Sequence, residues 1–125
     1  MVLDTCALIW RCFEPEKISQ ATLAKLNASD EIIICSILFW EIGIKIKKKK
    51  LSLPIQLTEF SKLLLQAQNI KIIPIELDIW LKTLELKWQH KDPVDRVIVA
   101  TAAKYNYPIV TSDKTIKRFY KNVLI

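Results

Sequence analysis

Polar and apolar positions along this chain alternate in blocks rather than residue by residue. Short, nearly continuous apolar runs are separated by longer stretches whose apolar residues recur every three or four positions. The first pattern marks buried strands and the second marks helices packed on one face. Strands are expected at Met1–Asp4, Glu31–Cys35, Lys71–Ile75, Pro108–Thr111 and Val123–Ile125. Helices are expected at Cys6 to about Phe13, closed by Pro15, and at Gln20–Asn27 behind a Ser19 cap. Further helices are expected at Ile37 to about Lys48 behind Ser36, at Leu57–Gln68 after an exposed turn at Pro54, and at Asp78–Trp88. A helix from Pro93 to about Lys104 and a helical turn at Thr115–Tyr120 complete the set. Strands that alternate with helices and carry no polar face imply an α/β fold with a central parallel sheet covered on both sides. Such sheets bind ligands beyond the carboxyl ends of their strands, where strand order reverses.

The stretch His90–Lys104 is the most informative. Pro93 presets a helical φ and lacks an N–H that the first turn does not need, so a helix starts there with Asp92 as its cap. Asp95 falls in the row Asp95, Ile98, Val99, Ala102, the i, i+3, i+4, i+7 face of that helix. Its neighbours on the face are apolar, so its carboxylate points inward, and a buried carboxylate requires a partner or a cation.

Composition narrows the chemistry. A length of 125 residues fits one domain with a real core. The longest uncharged, mostly apolar run, Ile32–Trp40, is too short to span a bilayer, and Asp4 interrupts the only candidate leader, so neither a membrane span nor a signal peptide is expected. Cys6, Cys12 and Cys35 are odd in number and have no metal-ligand spacing, which suggests reduced cytosolic thiols. The net charge of +6 suits a polyanionic partner, but the cations are nearly all lysine in an isoleucine-rich chain, so compositional bias accounts for it equally well. The single glycine rules out phosphate-cradling glycine loops, and the single histidine, His90, rules out a histidine-pair ribonuclease and an H-E-x-x-H zinc site. Carboxylates remain.

Four of them stand where the sheet would gather them. Asp4 ends the first strand, Asp113 follows Thr111 by two residues, Asp95 opens its helix, and Glu41 lies on the helix leaving Glu31–Cys35 with Ile37, Leu38 and Ile44 on its face. Each also has an ordinary role available. Asp4 and Asp95 suit helix caps, Asp113 suits a turn, and Glu41 can pair with Lys45 at i+4. Taken together, the four acids are expected at one edge of the sheet, where they repel one another unless protonated or neutralised by a hard divalent cation. Oxygen-only ligation suits Mg²⁺ or Mn²⁺, which would lower the pKa of a bound water and stabilise charge on a phosphoryl oxygen.

At these residues the chain resembles the PIN-domain family, and within it the VapC-type toxin ribonucleases of toxin–antitoxin pairs. The matching stretches are Leu3–Trp10, Ser36–Lys45, His90–Arg96 running on to Ala103, and Val110–Asp113. The resemblance implies a three-layer α/β/α fold, endoribonuclease activity dependent on Mg²⁺ or Mn²⁺, a homodimer, and inhibition by a cognate antitoxin. It carries the family's acids onto Asp4, Glu41, Asp95 and Asp113, and its supporting polar positions onto Thr5, Ser36 and Thr111. The chain departs from the family where histidine is common and Cys6 stands, and where glycine is common near residue 50 and lysine stands. Its first strand is also short.

The expected mechanism has Asp4, Asp95 and Asp113 holding the ion, with Glu41 closing the ring and Thr111 and Ser36 orienting carboxylates or waters. Water would cut the RNA phosphodiester in line, leaving a 5′-phosphate and a 3′-hydroxyl. Arg96 would contact a substrate phosphate or pair with a surface acid. Lys45, Lys47 and Lys48, continuing to Lys50, would form either a solvated helix end or a rail for the RNA backbone. Trp10, Phe13, Phe39 and Trp40 would leave an apolar face for a second copy or an antitoxin. The competing reading is a PIN-like module that binds RNA or a partner without cutting. An aspartyl-phosphate phosphatase would need an acid at Cys6, and a receiver domain would need an acidic pair within Met1–Leu3.

Overall fold

A computed structural model describes residues 1–125. Five parallel strands form the sheet: β1 Val2–Leu3, β2 Ile32–Cys35, β3 Ile70–Ile73, β4 Ile109–Val110 and β5 Val123–Leu124. The helices are α1 Thr5–Phe13, α2 Gln20–Ala28, α3 Ile37–Lys47, α4 Leu57–Gln66, α5 Leu77–Glu85, α6 Pro93–Tyr105 and α7 Lys114–Phe119, with a 3₁₀ turn at Pro15–Lys17. None is long and apolar enough to cross a membrane.

The strand order is β3-β2-β1-β4-β5. The chain therefore lays β2 and β3 on one side of β1 and β4 and β5 on the other. The reversal falls between β1 and β4, where Val2 pairs with Ile109 and Leu3 with Val110. Residues leaving those two strands stand at the crevice that a parallel sheet offers to ligands.

The core follows from the apolar runs. Val2, Leu3, Ile32–Cys35, Ile109 and Val110 are buried, as two-sided strands must be. Helix α6 packs on β1, β2 and β4 and buries Val94 and every residue from Val97 to Ala102, so it runs through the interior. Helix α5 packs on α6 through Ile79 and Thr83. At Gly43, α3 lies so close to α4 that a β-carbon would sit 3.3 Å from Leu57 Cδ2.

Several boundaries differ from the sequence reading. Helix α5 stops at Glu85, three residues before Trp88, and β3 starts at Ile70. Ser36 has helical dihedrals and makes no side-chain cap bond; its N–H joins the sheet edge at Ile73 O, 2.9 Å away. The expected aromatic face is partly covered. Trp10, Phe13 and Phe39 pack against the core, Phe13 with its ring 5.1 Å from that of Phe60, and only Trp40 is exposed. A longer exposed apolar stripe lies on α5, where Leu77, Trp80, Leu81 and Leu84 share the face opposite Ile79 and Thr83.

Candidate active site

Helix starts build the site. Asp4 caps α1 through Oδ1, which accepts from the Ala7 N–H at 2.8 Å. Asp92 Oδ1 caps α6, accepting from Val94 N–H at 2.9 Å and Asp95 N–H at 3.3 Å. Asp113 Oδ1 caps α7, accepting from Thr115 N–H at 2.7 Å and Ile116 N–H at 3.0 Å. Each cap holds a carboxylate against the positive end of a helix, which offsets part of the repulsion among them. Each also occupies only one oxygen. Asp92 Oδ2 and Asp113 Oδ2 have no protein partner, while Asp4 Oδ2 accepts from the Thr111 hydroxyl. The Thr111 oxygen in turn accepts from the Asp113 N–H at 2.9 Å, so one buried threonine ties β1's acid to β4's.

Asp4, Glu41, Asp92, Asp95 and Asp113 line one cavity of about 540 Å³, together with Thr5, Cys6, Trp40, Lys45, Lys48, Lys50 and Ser112. Glu41 forms an ion pair with Lys45 at 3.1 Å, and both remain on the cavity wall. Asp95 Oδ2 lies 2.7 Å from His90 Nε2.

The electrostatics show where the cost sits. Asp4 is only 6% exposed, and burial pushes its carboxyl up to about 6, with the charges of Asp95 and Asp113 adding to the rise. The bonds from Thr111 and Ala7 oppose it. The Asp95 carboxyl is also raised, by burial and by Asp92 and Asp113, against the pull of His90. Cys6 is pushed up by burial and then by Asp4. Five carboxylates face three ammonium groups on this wall, an excess of two negative charges that one divalent cation cancels.

The residues fit such an ion on two counts. The Thr5 hydroxyl oxygen is buried on this wall without a hydrogen-bond partner. The donors around it are carboxylates and a hydroxyl, the ligand chemistry of a hard cation that keeps several waters. His90, Asp92 and Asp95 form a compact donor group, with ligand atoms all within 4.8 Å of one another. The burden nevertheless falls on Asp4, which is buried and repelled, whereas Asp92 is exposed and needs no counter-ion. A family model, that of the PIN domain, matches residues 1–122.

The chain belongs to the PIN domain family. Among curated relatives of this PIN domain, Ribonuclease VapC22 of Mycobacterium tuberculosis is 24% identical over 118 residues, covering 94% of this chain and 89% of the relative. Two solved structures share its fold with a TM-score of 0.67 and 20% identity. One is a toxin–antitoxin complex from Klebsiella pneumoniae, in which 99% of this chain and 95% of that chain are covered. The other is VapBC2 from Rickettsia felis bound to a DNA fragment from its promoter, with 99% and 96% covered.

Some residues take places in the PIN domain that differ from the sequence reading. Ser36 and Arg96 do not line the cavity. The Arg96 guanidinium contacts no carboxylate and faces four backbone carbonyls: Trp88 at 2.6 Å, His90 at 2.8 Å, Thr83 at 2.6 Å and Leu86 at 3.2 Å. Lys47 borders the neighbouring groove rather than the acids, while Lys45 and Lys48 do face them. Asp92, read only as a cap, belongs on the wall, and its place one turn before Asp95 was the signal for it.

Proposed function

We propose that this PIN domain is an endoribonuclease dependent on Mg²⁺ or Mn²⁺, the toxin of a toxin–antitoxin pair acting in the cytoplasm. The observation that carries the reading is the gathering of five carboxylates at the sheet's switch point, with the buried Asp4 raised and Thr5 unpartnered beside it. A relative named as a ribonuclease and a neighbour solved as a toxin–antitoxin complex support the biological setting.

Asp4, Asp95 and Asp113 would hold the ion and Glu41 would close the ring. A divalent cation there supplies water of lowered pKa and positive charge opposite a phosphoryl oxygen. The chain supplies the positioning. Ala7 and Thr111 fix both oxygens of Asp4, and Thr111 also fixes the backbone of Asp113. His90 holds one oxygen of Asp95. Lys45 and Lys48 stand on the same wall and draw an RNA phosphate toward acids that would otherwise repel it. Hydrolysis would form a bond from the oxygen of water to phosphorus and break the P–O3′ bond, one proton of the water going to the departing 3′-oxygen and the other to solvent, which leaves a 5′-phosphate and a 3′-hydroxyl.

The direct test is cleavage of single-stranded RNA with Mg²⁺ or Mn²⁺, with excess chelator, and with the protein encoded beside this one. Cleavage should stop with chelator, return with the ion, and be blocked by a stoichiometric partner. RNA bound but never cut would move the protein to the non-cleaving class; cutting undiminished by chelator would remove the ion.

For the homodimer, the α5 stripe is the face we assign. Leu77 and Leu84 are 70% and 78% exposed at opposite ends of one helix face, with Trp80 and Leu81 between them. Four such side chains can each contribute about 1.5–3 kcal/mol when covered. Antiparallel packing of two α5 helices would set the acidic start at Glu76 and Asp78 near the Lys82 and Lys87 end of the other copy. Leu84→Glu should convert a sedimenting dimer into a folded monomer. A parent chain that already sediments as a monomer excludes this face.

A further inference from the structure

Helix α3 ends in a way its sequence does not favour. Lys50 N–H donates to Lys45 O at 2.9 Å and Lys49 N–H to Ile46 O at 3.0 Å, the paired bonds of a Schellman end. Lys49 takes the left-handed conformation there, at φ 57°. Glycine is the ordinary occupant of such a position, because a β-carbon is strained in it. The other residue with positive φ is Asn106 at the end of α6, a type that tolerates it far better. The strained position thus carries a long, cationic side chain.

That side chain borders a groove of about 1020 Å³ between the end of α3 and the start of α4. Leu53, Pro54, Ile55 and Leu57 give it an apolar lining, and the close approach of α4 at Gly43 sets its width. Lys47, Lys49 and Lys50 stand along it against one acid, Glu59. Lys50 also lines the carboxylate cavity, so the two depressions meet at that residue. Cations beside an apolar floor suit a single strand of nucleic acid, whose phosphates take the charge while an unstacked base covers the floor.

We propose that this groove is the subsite for the single-stranded RNA flanking the scissile phosphate, with Lys49 and Lys50 on its backbone and the Leu53–Leu57 segment under a base. The proposal rests on the RNA-cleavage reading for its direction of approach. An acidic protein segment would meet the same charge, but only a strand already seated among the carboxylates must leave past Lys50. The left-handed backbone at Lys49 holds that side chain at the rim of the groove.

The test is Lys49→Gly, which removes the charge and gives the backbone its preferred residue. Its Tm should rise by about 3 °C, so a loss of function is not a loss of fold. KM for a long single-stranded RNA should rise about tenfold, and far less for a minimal substrate carrying only the nucleotides of the scissile bond. In an Asp4→Asn background, where the strand stays whole, anisotropy of labelled RNA should weaken, with the slope against salt shallower by about 0.7. The parent's KM and salt slope kept unchanged would overturn the proposal. So would protection of Lys49 from acetylation by a protein partner and not by RNA. A parent chain that binds RNA without cutting it would sink the cleavage reading alone, since the anisotropy comparison still reads the groove.

Discussion

Asn in place of Asp4 should lower RNA cleavage by at least about a thousandfold, matching the loss of about 4 kcal/mol of charge stabilisation at the reacting phosphate. The fold should survive, because the substitution keeps the hydrogen-bonding shape. The amide oxygen can still accept from the Ala7 N–H, now 2.8 Å from Asp4 Oδ1. The amide NH₂ can donate to the Thr111 oxygen, which already accepts from the Asp113 N–H and has a second lone pair free once its own proton turns away. Stability should even improve when no ion is bound. The Asp4 carboxyl is raised from 3.8 to about 6, so the folded chain holds that proton more tightly than the unfolded one. The associated stability is fully present below about pH 4 and is lost as pH rises through about 6, a loss on the order of 3 kcal/mol. An amide does not titrate. In chelator, the parent and the variant should therefore melt alike near pH 4 and diverge by roughly 10 °C in the variant's favour above pH 6. Removing the Asp4 charge also relieves the raised Asp95 carboxyl, so that change acts in the same direction. Divalent ion should restore the parent at pH 7 and leave the variant unmoved. Thermal unfolding across that range checks the sign, and a variant that cuts RNA at the parent's rate ends the assignment of Asp4.

What could be read without the structure, and what could not, divides along sequence distance. The convergence of Asp4, Glu41, Asp95 and Asp113 on one cavity was readable because Asp4, Glu41 and Asp113 each lie within two turns of a strand's end and Asp95 opens a helix, and a parallel sheet puts strand ends and such helix starts on one edge. The cap at Asp92 was readable from Pro93 alone. The Thr111 bridge was not, since it depends on β1 and β4 being neighbours in the sheet although they are over a hundred residues apart. The end of α5 is likewise set by a partner beyond the helix. Its periodic pattern continues to Trp88, but the chain after Glu85 is pulled into extended backbone by carbonyl bonds to a side chain ten residues further on. Ser36 has the residue type of a cap and the backbone of a helix, so residue type alone does not decide its role. The aromatic face is legible only in part, because spacing shows that a stripe is apolar, not how much of it the rest of the molecule covers. On α5 both faces are apolar, and α6 covers only the one with Ile79 and Thr83.

Arg96 brings the longest of these consequences together. Its guanidinium gathers the carbonyls of Thr83, Leu86, Trp88 and His90, closing the end of α5 onto the start of α6. The segment it holds presents Trp88, stacked on Phe119 at 4.7 Å and against His90 at 4.8 Å, and His90 then reaches Asp95 at 2.7 Å. Arg96→Ala leaves four carbonyls to find water or go unpaired and should cost about 3 kcal/mol, or roughly 10 °C in Tm. Arg96→Lys should recover only part of that, because an ammonium is a point charge that cannot span four acceptors as the planar fork does. Cleavage should fall in both variants at temperatures where they remain folded, since the seat of His90 against Asp95 is lost with the clamp. The salt dependence of RNA binding separates this role from the phosphate contact that the residue type suggests. A clamp leaves the slope as it was, whereas a phosphate contact flattens it by about 0.7. Unchanged stability together with a flattened slope would return Arg96 to the substrate.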